Sequence, residues 1–508
     1  MRRVTIAAGS QLAADAGAAI ADLGGNAVDA AIAAVITTMC TDPGIIAPGA
    51  SGFLAVDPAD GDAVIVDAYA EMPGREAPAH RFGEGLRVSM DYGGGMETMV
   101  GYGSVATPGI YAGLEESWRR FGELPWKELF EPAIQAVGDG FPLSGAAAAY
   151  LTYAHEAVFG WDDESRHVLR HDDGSHLVEG DIVQVPDLAD SLRLLAEEGA
   201  KALHGGDLGA AIADAVEAHG GLLGRADLAA YEPVVRRPVR FHLGGWEVDT
   251  NPPPAVGGST MAAVALLAEL KGFRGWTAED VTILARVQRA VLDYRRARLI
   301  DNDEIEDNAA RLLDAARVGD LGSILSSPST THSSAADTDG NVCAITVSAG
   351  YGSGGMPPGT GFWLNNSLGE LELHPAGYHG LAPGRRLVSN MAPTTARGRT
   401  AALAIGSAGA DRITTALSSV LLDFLILGMS ITEAVAHPRM HVEVFDGQPS
   451  IAHEPGIPVE SIDGLEVRRF PDLSMYFGGV QAAITDRTAG LFSVADPRRD
   501  GGVARGGR

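Results

Sequence analysis

Apolar residues recur along this chain in two rhythms. Near the N-terminus, Leu12 to Leu23 and Ala27 to Cys40 carry the spacing of two Ala-rich helices joined at Gly24-Gly25. The second starts on Asn26, whose side-chain oxygen can cap free helix N–H groups, and reads D-A-A-I-A-A-V-I-T-T-M, apolar almost all round. Such a helix belongs inside the protein. The following P-G-I-I-A-P-G-A-S-G lacks the GK[ST] ending of a phosphate loop, so Gly49, Ser51 and Gly52 are read as small residues that let helix and sheet approach. Gly52 to Asp57 and Asp62 to Asp67 predict strands around a Pro-Ala-Asp-Gly turn, and Glu71 to Gly103 predicts a long irregular segment. Helical spacing returns at Tyr111 to Phe121, Pro125 to Val137, Leu143 to Tyr153, Asp187 to Glu198 and Leu208 to His219. Val234 to Asp249 is strand-like and runs into a polyproline turn at Pro252, with helices at Ser259 to Leu270, Ala278 to Ile300 and Asn308 to Ala316 beyond it. Later strands are expected at Gly359 to Asn366, Ala401 to Gly406, Gly478 to Asp486 and Leu491 to Asp496, with a helix at Ile413 to Leu427. Helices and strands come in blocks, not in regular βα alternation, which predicts α+β layers.

The stretch from Ser326 to Gly350, S-S-P-S-T-T-H-S-S-A-A-D-T-D-G-N-V-C-A-I-T-V-S-A-G, reads as a hairpin. Asp337 to Asn341 suits a three-residue loop, a type I turn followed by Gly340 in the left-handed region. That register sets Thr330 opposite Ser348 and His332 opposite Thr346. Alternation then sorts Thr330, His332, Ser334, Thr346 and Ser348 onto one face, and Thr331, Ser333, Ala335, Cys343, Ile345 and Val347 onto the other. A two-residue loop would slip the pairing by one and destroy this sorting. Taken alone, the pattern describes an edge hairpin with its hydroxyls on the wet side.

Composition narrows the function classes. The 508 residues are 46% hydrophobic and 20% charged, a globular balance with length for more than one domain. A net charge of -28 argues against nucleic acid or anionic membrane as partner, since phosphate binding needs clustered Lys and Arg. The sequence shows no apolar run of membrane length and no tripartite signal peptide after Met1, so a cytoplasmic location is expected. Cys40 and Cys343 make neither a disulfide framework nor a metal-ligand spacing and are expected as core thiols. His374 and His379 are too few to argue for metal. No metal and no cofactor is implied. Gly406 to Arg412, a small-residue turn between a strand and a helix, would leave backbone N–H groups free to receive negative charge.

Several ordered motifs then converge on one family. L-G-G-N-A-V-D-A-A-I-A-A, G-S-V-A-T-P-G-I-Y-A-G-L, D-L-A-A-Y-E-P-V-V-R-R-P, N-P-P-P-A-V-G-G, S-T-T-H-S-S-A-A-D-T-D-G-N, P-G-T-G-F-W-L-N-N and A-D-P-R-R-D-G-G span nearly the whole chain. In this order the sequence resembles the γ-glutamyltranspeptidase family of N-terminal nucleophile hydrolases. The resemblance implies a four-layer αββα sandwich, made as a precursor that cuts itself between Ser329 and Thr330. Residues 1–329 and 330–508 would form two associated fragments around one shared core, with a homo-oligomer compatible. It further implies Thr330 as nucleophile, with its freed α-amine as base, and Ser348 as the hydroxyl that orients it. Gly409 and Ala410 match consecutive glycines of an oxyanion hole, and an alanine keeps its backbone donor there provided its φ is negative. His332 is expected to position its strand. Asn365 and Asn366 match the family's Asn-Asn, and Ser389 and Asn390 its Ser-Ser.

Other positions depart from the family pattern. The arginine that would clamp an α-carboxylate is replaced at D-A-Y-A-E-M-P-G-R by Ala70, or by Tyr69 after a one-residue shift, with Arg75 close enough in sequence to substitute. Glu370 stands for the aspartate that would bind an α-amine, and Gly350 for an asparagine. The expected activity is a self-processing, γ-glutamyltranspeptidase-like hydrolase or acyltransferase acting on a small amide, glutathione included. The alternatives are the same centre acting on a non-glutamyl amide, and an unprocessed relative that only binds.

Overall fold

The computed structural model describes residues 2–78, 85–91, 95–299, 303–319, 331–373, 377–410, 412–445, 448–459, 462 and 464–507. Two antiparallel sheets are stacked at its centre, with strands numbered along the chain. The first has seven strands in the order β20 (Gly502–Gly506), β1 (Val4–Ala8), β11 (Thr331–Asp337), β12 (Val342–Ser348), β2 (Ser51–Asp57), β3 (Val64–Ala68) and β8 (Val234–Arg236). The second has six, β19 (Gly490–Ala495), β18 (Gly479–Asp486), β14 (Ala401–Ala408), β13 (Thr394–Arg397), β10 (Trp246–Thr250) and β9 (Val239–Leu243). Outside them lie β15 (Met440–Phe445), β16 (Gln448–His453) and β17 (Glu466–Arg469) in one small sheet, β4 (Leu86–Met90) with β5 (Met96–Val100), and β6 (Phe141–Pro142) with β7 (Ile182–Val183).

Helices cover both stacked sheets. Helix Ala27–Thr41 is buried along its whole length, as its unbroken apolar sequence requires, and packs with helix Gln11–Asp22 on the seven-stranded sheet. Asn26 caps it through Val28 and Asp29, and Asp29 returns the bond to the Asn26 amide. Helices Gly257–Leu270 and Arg412–Leu421 pack together with the six-stranded sheet, and Phe53, Ala344, Leu403, Ile405 and Val480 belong to that same core. The α+β, four-layer expectation holds. Among the described residues no helix is long and apolar enough to cross a membrane.

Several local expectations are corrected. The segment 71–103 is not wholly irregular, because it holds the β4 and β5 hairpin. Gly359 to Asn366 forms no strand, and only Leu364 makes an isolated bridge, to Gly49. Val234 to Asp249 is three strands, since Gly244-Gly245 turns the chain between β9 and β10. The helix after β14 ends at Leu421 and continues as a π-turn over Leu422–Ile426. Most important, β11 and β12 are not an edge hairpin: they lie inside the seven-stranded sheet, and every residue in them is buried. Sequence alternation separates two faces but does not say whether the polar one meets water or a second sheet.

Candidate active site

The hairpin turn is built from one carboxylate. Asp337 accepts from the Asp339 and Asn341 amides, each at 3.0 Å, and also from Ala27 N at 3.1 Å, so it closes the loop and caps the buried helix together. Gly340 sits at φ +99°, the left-handed turn position expected of it. The register is His332 opposite Thr346, with Thr331 opposite Val347 as the first described pair. Thr330 and Ser329 lie outside the described residues, as do His374 and Asp411.

The polar face of the hairpin points into the sandwich. His332 is hydrogen-bonded through Nδ1 to Thr346 Oγ1 at 2.8 Å and through Nε2 to Ser334 Oγ at 2.7 Å, and Ser334 donates to the Gln481 carbonyl at 3.3 Å. Burial pushes the imidazole down to about 3, so it is neutral at physiological pH. Gly406 of β14 lies against this ring, where a Cβ would stand 2.2 Å from Cε1. Ser348 closes β12 opposite Ser51, and its Oγ accepts from Gly350 N at 3.0 Å.

Strand registers place the small-residue turn relative to this hairpin. Ser334 meets Gln481, which pairs with Gly406. Two residues further along β11, Ala336 pairs with Thr5, whose hydroxyl bonds Ser493, and Ser493 pairs with Ala483 beside Ala404. Moving toward the start of β11 therefore moves toward the end of β14, where Gly409 and Ala410 follow. Gly409 has φ +119° and presses on Gly478, where a Cβ would come within 2.5 Å of its Cα. Ala410 does not meet the negative-φ condition: it stands at φ +67°, a left-handed conformation that costs an alanine about 1–2 kcal/mol. Among the described residues neither amide meets a backbone acceptor, while the two carbonyls accept from Arg412 N and Ile413 N at 3.1 and 3.2 Å.

The remaining expected residues divide into two groups. Asn365 donates to the Gly49 and Ala106 carbonyls at 2.9 and 3.1 Å, and Asn366 holds Tyr351 N at 2.7 Å and the Met99 carbonyl at 2.9 Å. Both amides thus tie the chain after β12 to its surroundings. Arg75 pairs with Glu71 at 3.2 Å and Asp227 at 3.7 Å. Ser389 and Glu370, by contrast, come together around Tyr69, which the family pattern alone left as a shifted alignment. Tyr69 extends β3 and stacks on Phe53; its hydroxyl bonds Ser389. Burial, then the nearby Glu370 carboxylate, raises its pKa well above the usual tyrosine range. Gly350 leaves room for the neighbours that close this corner, since a Cβ there would lie 2.1 Å from Asn366 Oδ1 and 3.2 Å from Glu370 Oε1. Asn390 is buried beside Ser389, its carbonyl against Gly257. Cys40 and Cys343 are free and buried, and among the described residues no cluster of three or more His, Cys, Asp or Glu could hold a metal.

A four-layer sandwich with a central polar hairpin and a strained glycine-alanine turn at the end of the facing sheet defines the N-terminal nucleophile hydrolase class. The structure of cephalosporin acylase from Bacillus halodurans superposes with a TM-score of 0.80 over 99% of this chain and 96% of its own, at 24% identity, a likeness of fold. The γ-glutamyltranspeptidase family model matches residues 13–506, and the chain belongs to that family. It is 32% identical to the acylase ACY 1 proenzyme of Pseudomonas sp. (strain V22), over 85% of this chain and 81% of that one. Identity is 27% to the glutathione hydrolase proenzyme of Escherichia coli (strain K12), over 94% and 87%. The protein is accordingly an enzyme of the γ-glutamyltranspeptidase type, a hydrolase or acyltransferase of small amides.

Proposed function

We propose that the chain is a precursor cut between Ser329 and Thr330, and that Thr330 is the nucleophile of the processed enzyme. The observation that supports this is the β11 and β12 register, in which Thr331 faces Val347, so that Ser348 closes β12 at the end where β11 begins. In processing, the Thr330 hydroxyl attacks the Ser329 carbonyl, the amide becomes an ester, and water resolves it to a carboxylate on Ser329 and a free amine on Thr330. That α-amine titrates near pH 8 and takes the hydroxyl proton as the oxygen attacks a substrate amide. Gly409 and Ala410 N–H groups receive the oxyanion, the proton passes to the departing amine, and water or an acceptor amine releases the acyl group. The α-amine is the base, which leaves the neutral His332 to hold β11 in place.

The acyl group is that of glutathione or of another small amide. A specific observation favours the non-glutamyl reading: Arg75, the arginine near enough in sequence to clamp an α-carboxylate, is engaged by Glu71 and Asp227. Intact mass after expression tests the cut. Two fragments, residues 1–329 and 330–508, are expected, with a single full-length mass for Thr330→Ala; two fragments from Thr330→Ala would refute the assignment.

A further inference from the structure

The polyproline turn after β10 has no part in the chemistry above, and it walls a cleft at the side of the sandwich. β8 is the last strand of the seven-stranded sheet and β9 the last of the six-stranded one, so Arg237-Pro238 carries the chain from one sheet edge to the other. Together with Pro252, Pro253, the first turn of helix Gly257–Leu270 and helix Ile305–Val318, these edges bound a cleft of about 470 Å³, a volume that holds a small organic ligand. β8 lies three strands from β12, so the cleft is separate from the hairpin hydroxyls.

Val234, Val239, Pro252 and Leu313 make its walls apolar. Ser259 lines it too, and its hydroxyl is wholly buried without a hydrogen-bond partner. An unpaired buried hydroxyl is unfavourable, so this one calls for a polar group from outside the chain. The turn that carries it cannot shift: the Ser389 carbonyl accepts from Val256 N at 2.8 Å, and a Cβ on Gly257 would lie 2.0 Å from the Asn390 carbonyl oxygen. Ser259 is the third residue of a 14-residue helix, where free N–H groups favour negative charge. Two charges complete the lining. Arg237 and Glu306 are both exposed, and among the described residues neither side chain makes an ion pair or a hydrogen bond. Arg236, the other guanidinium here, is held by Asp67 at 2.8 Å.

We infer that this cleft binds a small zwitterion with an apolar side chain, a free amino acid of the leucine kind. Its carboxylate takes Arg237 and the Ser259 turn, its ammonium takes Glu306, and its side chain lies on the Val239, Pro252 and Leu313 wall.

Calorimetry with the expressed enzyme compares L-leucine with three analogues, none of them an amide: leucinol without the carboxylate, 4-methylpentanoate without the amine, and glycine without the side chain. Leucine is expected to bind about 10-fold more tightly than leucinol, the lower range of a charge-assisted hydrogen bond. Against 4-methylpentanoate the expected margin is about 3- to 5-fold, because an exposed pair at Glu306 is screened. Glycine should bind at least about 10-fold more weakly than leucine. Arg237→Ala should cut the leucine-to-leucinol ratio to below about 3-fold, and Glu306→Gln should bring leucine and 4-methylpentanoate together. Both side chains are exposed, so the fold carries these changes. Ser259→Ala should weaken leucine by roughly 3- to 10-fold. No binding at millimolar leucine, or glycine binding as tightly as leucine, overturns the proposal. Ratios unchanged in Arg237→Ala and Glu306→Gln also overturn it, since the amino acid would then sit elsewhere on the chain.

Discussion

Gly406→Ala tests the contact between the catalytic hairpin and the facing sheet. The added Cβ would lie 2.2 Å from His332 Cε1 and 2.3 Å from Nδ1, against an ordinary carbon separation of about 3.5–4.0 Å. More than ~1 Å of movement is needed. The ring cannot swing freely, because Thr346 and Ser334 hold its two nitrogens at 2.8 and 2.7 Å. If it turns, buried polar atoms lose partners at about 1–3 kcal/mol; if the sheets part instead, overpacking costs about 1–3 kcal/mol. A destabilisation of about 1–3 kcal/mol is therefore expected. Urea unfolding in a Thr330→Ala background, which the proposed processing leaves as one chain, would read it as a lower midpoint. The double variant with His332→Ala should be less destabilised than the sum of the singles, by at least ~1 kcal/mol, since the clash disappears. A shift below ~0.5 kcal/mol in Gly406→Ala, or strict additivity, would refute this account of how the sheets meet.

Three further outcomes follow from other sites. Ala410→Gly removes left-handed strain but adds freedom to the unfolded chain, so stability should change by less than ~1 kcal/mol and acyl transfer should persist; a loss of processing would show that the alanine methyl itself is needed. Arg498, wholly buried against Glu454 and Asp496, should cost about 3–5 kcal/mol when changed to Ala, because the buried Glu454 carboxylate loses its guanidinium while Asp496 keeps Arg439; thermal unfolding checks this. Asp42, bonded by Ser144 at 2.9 Å, is pushed up to about 6 by burial. The folded state then holds a proton that the unfolded chain has released, so this group's contribution is greatest below its ordinary carboxylate pKa and falls as pH rises to about 6. Asp42→Asn should flatten the stability profile in that window; an unchanged slope between those limits would exclude Asp42 as its source.

Legibility was uneven, for identifiable reasons. The Asn26 cap, the all-apolar helix behind it and the Gly340 turn are local, and each was readable because a few neighbouring residues determine the backbone. Segment 86–100 gives no strand signal because its strands are short and largely half-exposed, without the alternation that marks a buried face. Arg75 and Asn366 were reasonable ligands by sequence position, yet distant partners, Asp227 for one and Met99 and Tyr351 for the other, decide what their side chains touch.

The chain by itself determined the α+β class and the register of the hairpin around its turn, since periodicity and turn chemistry act over short range, and its ordered motifs carried the family and with it the αββα expectation. Only the tertiary structure decided that the hydroxyl face is dry, that Ala410 is left-handed, and that Tyr69 meets Ser389 and Glu370. Those facts depend on which sheet stacks on which and which charges pair across more than a hundred residues, and no local pattern encodes that geometry.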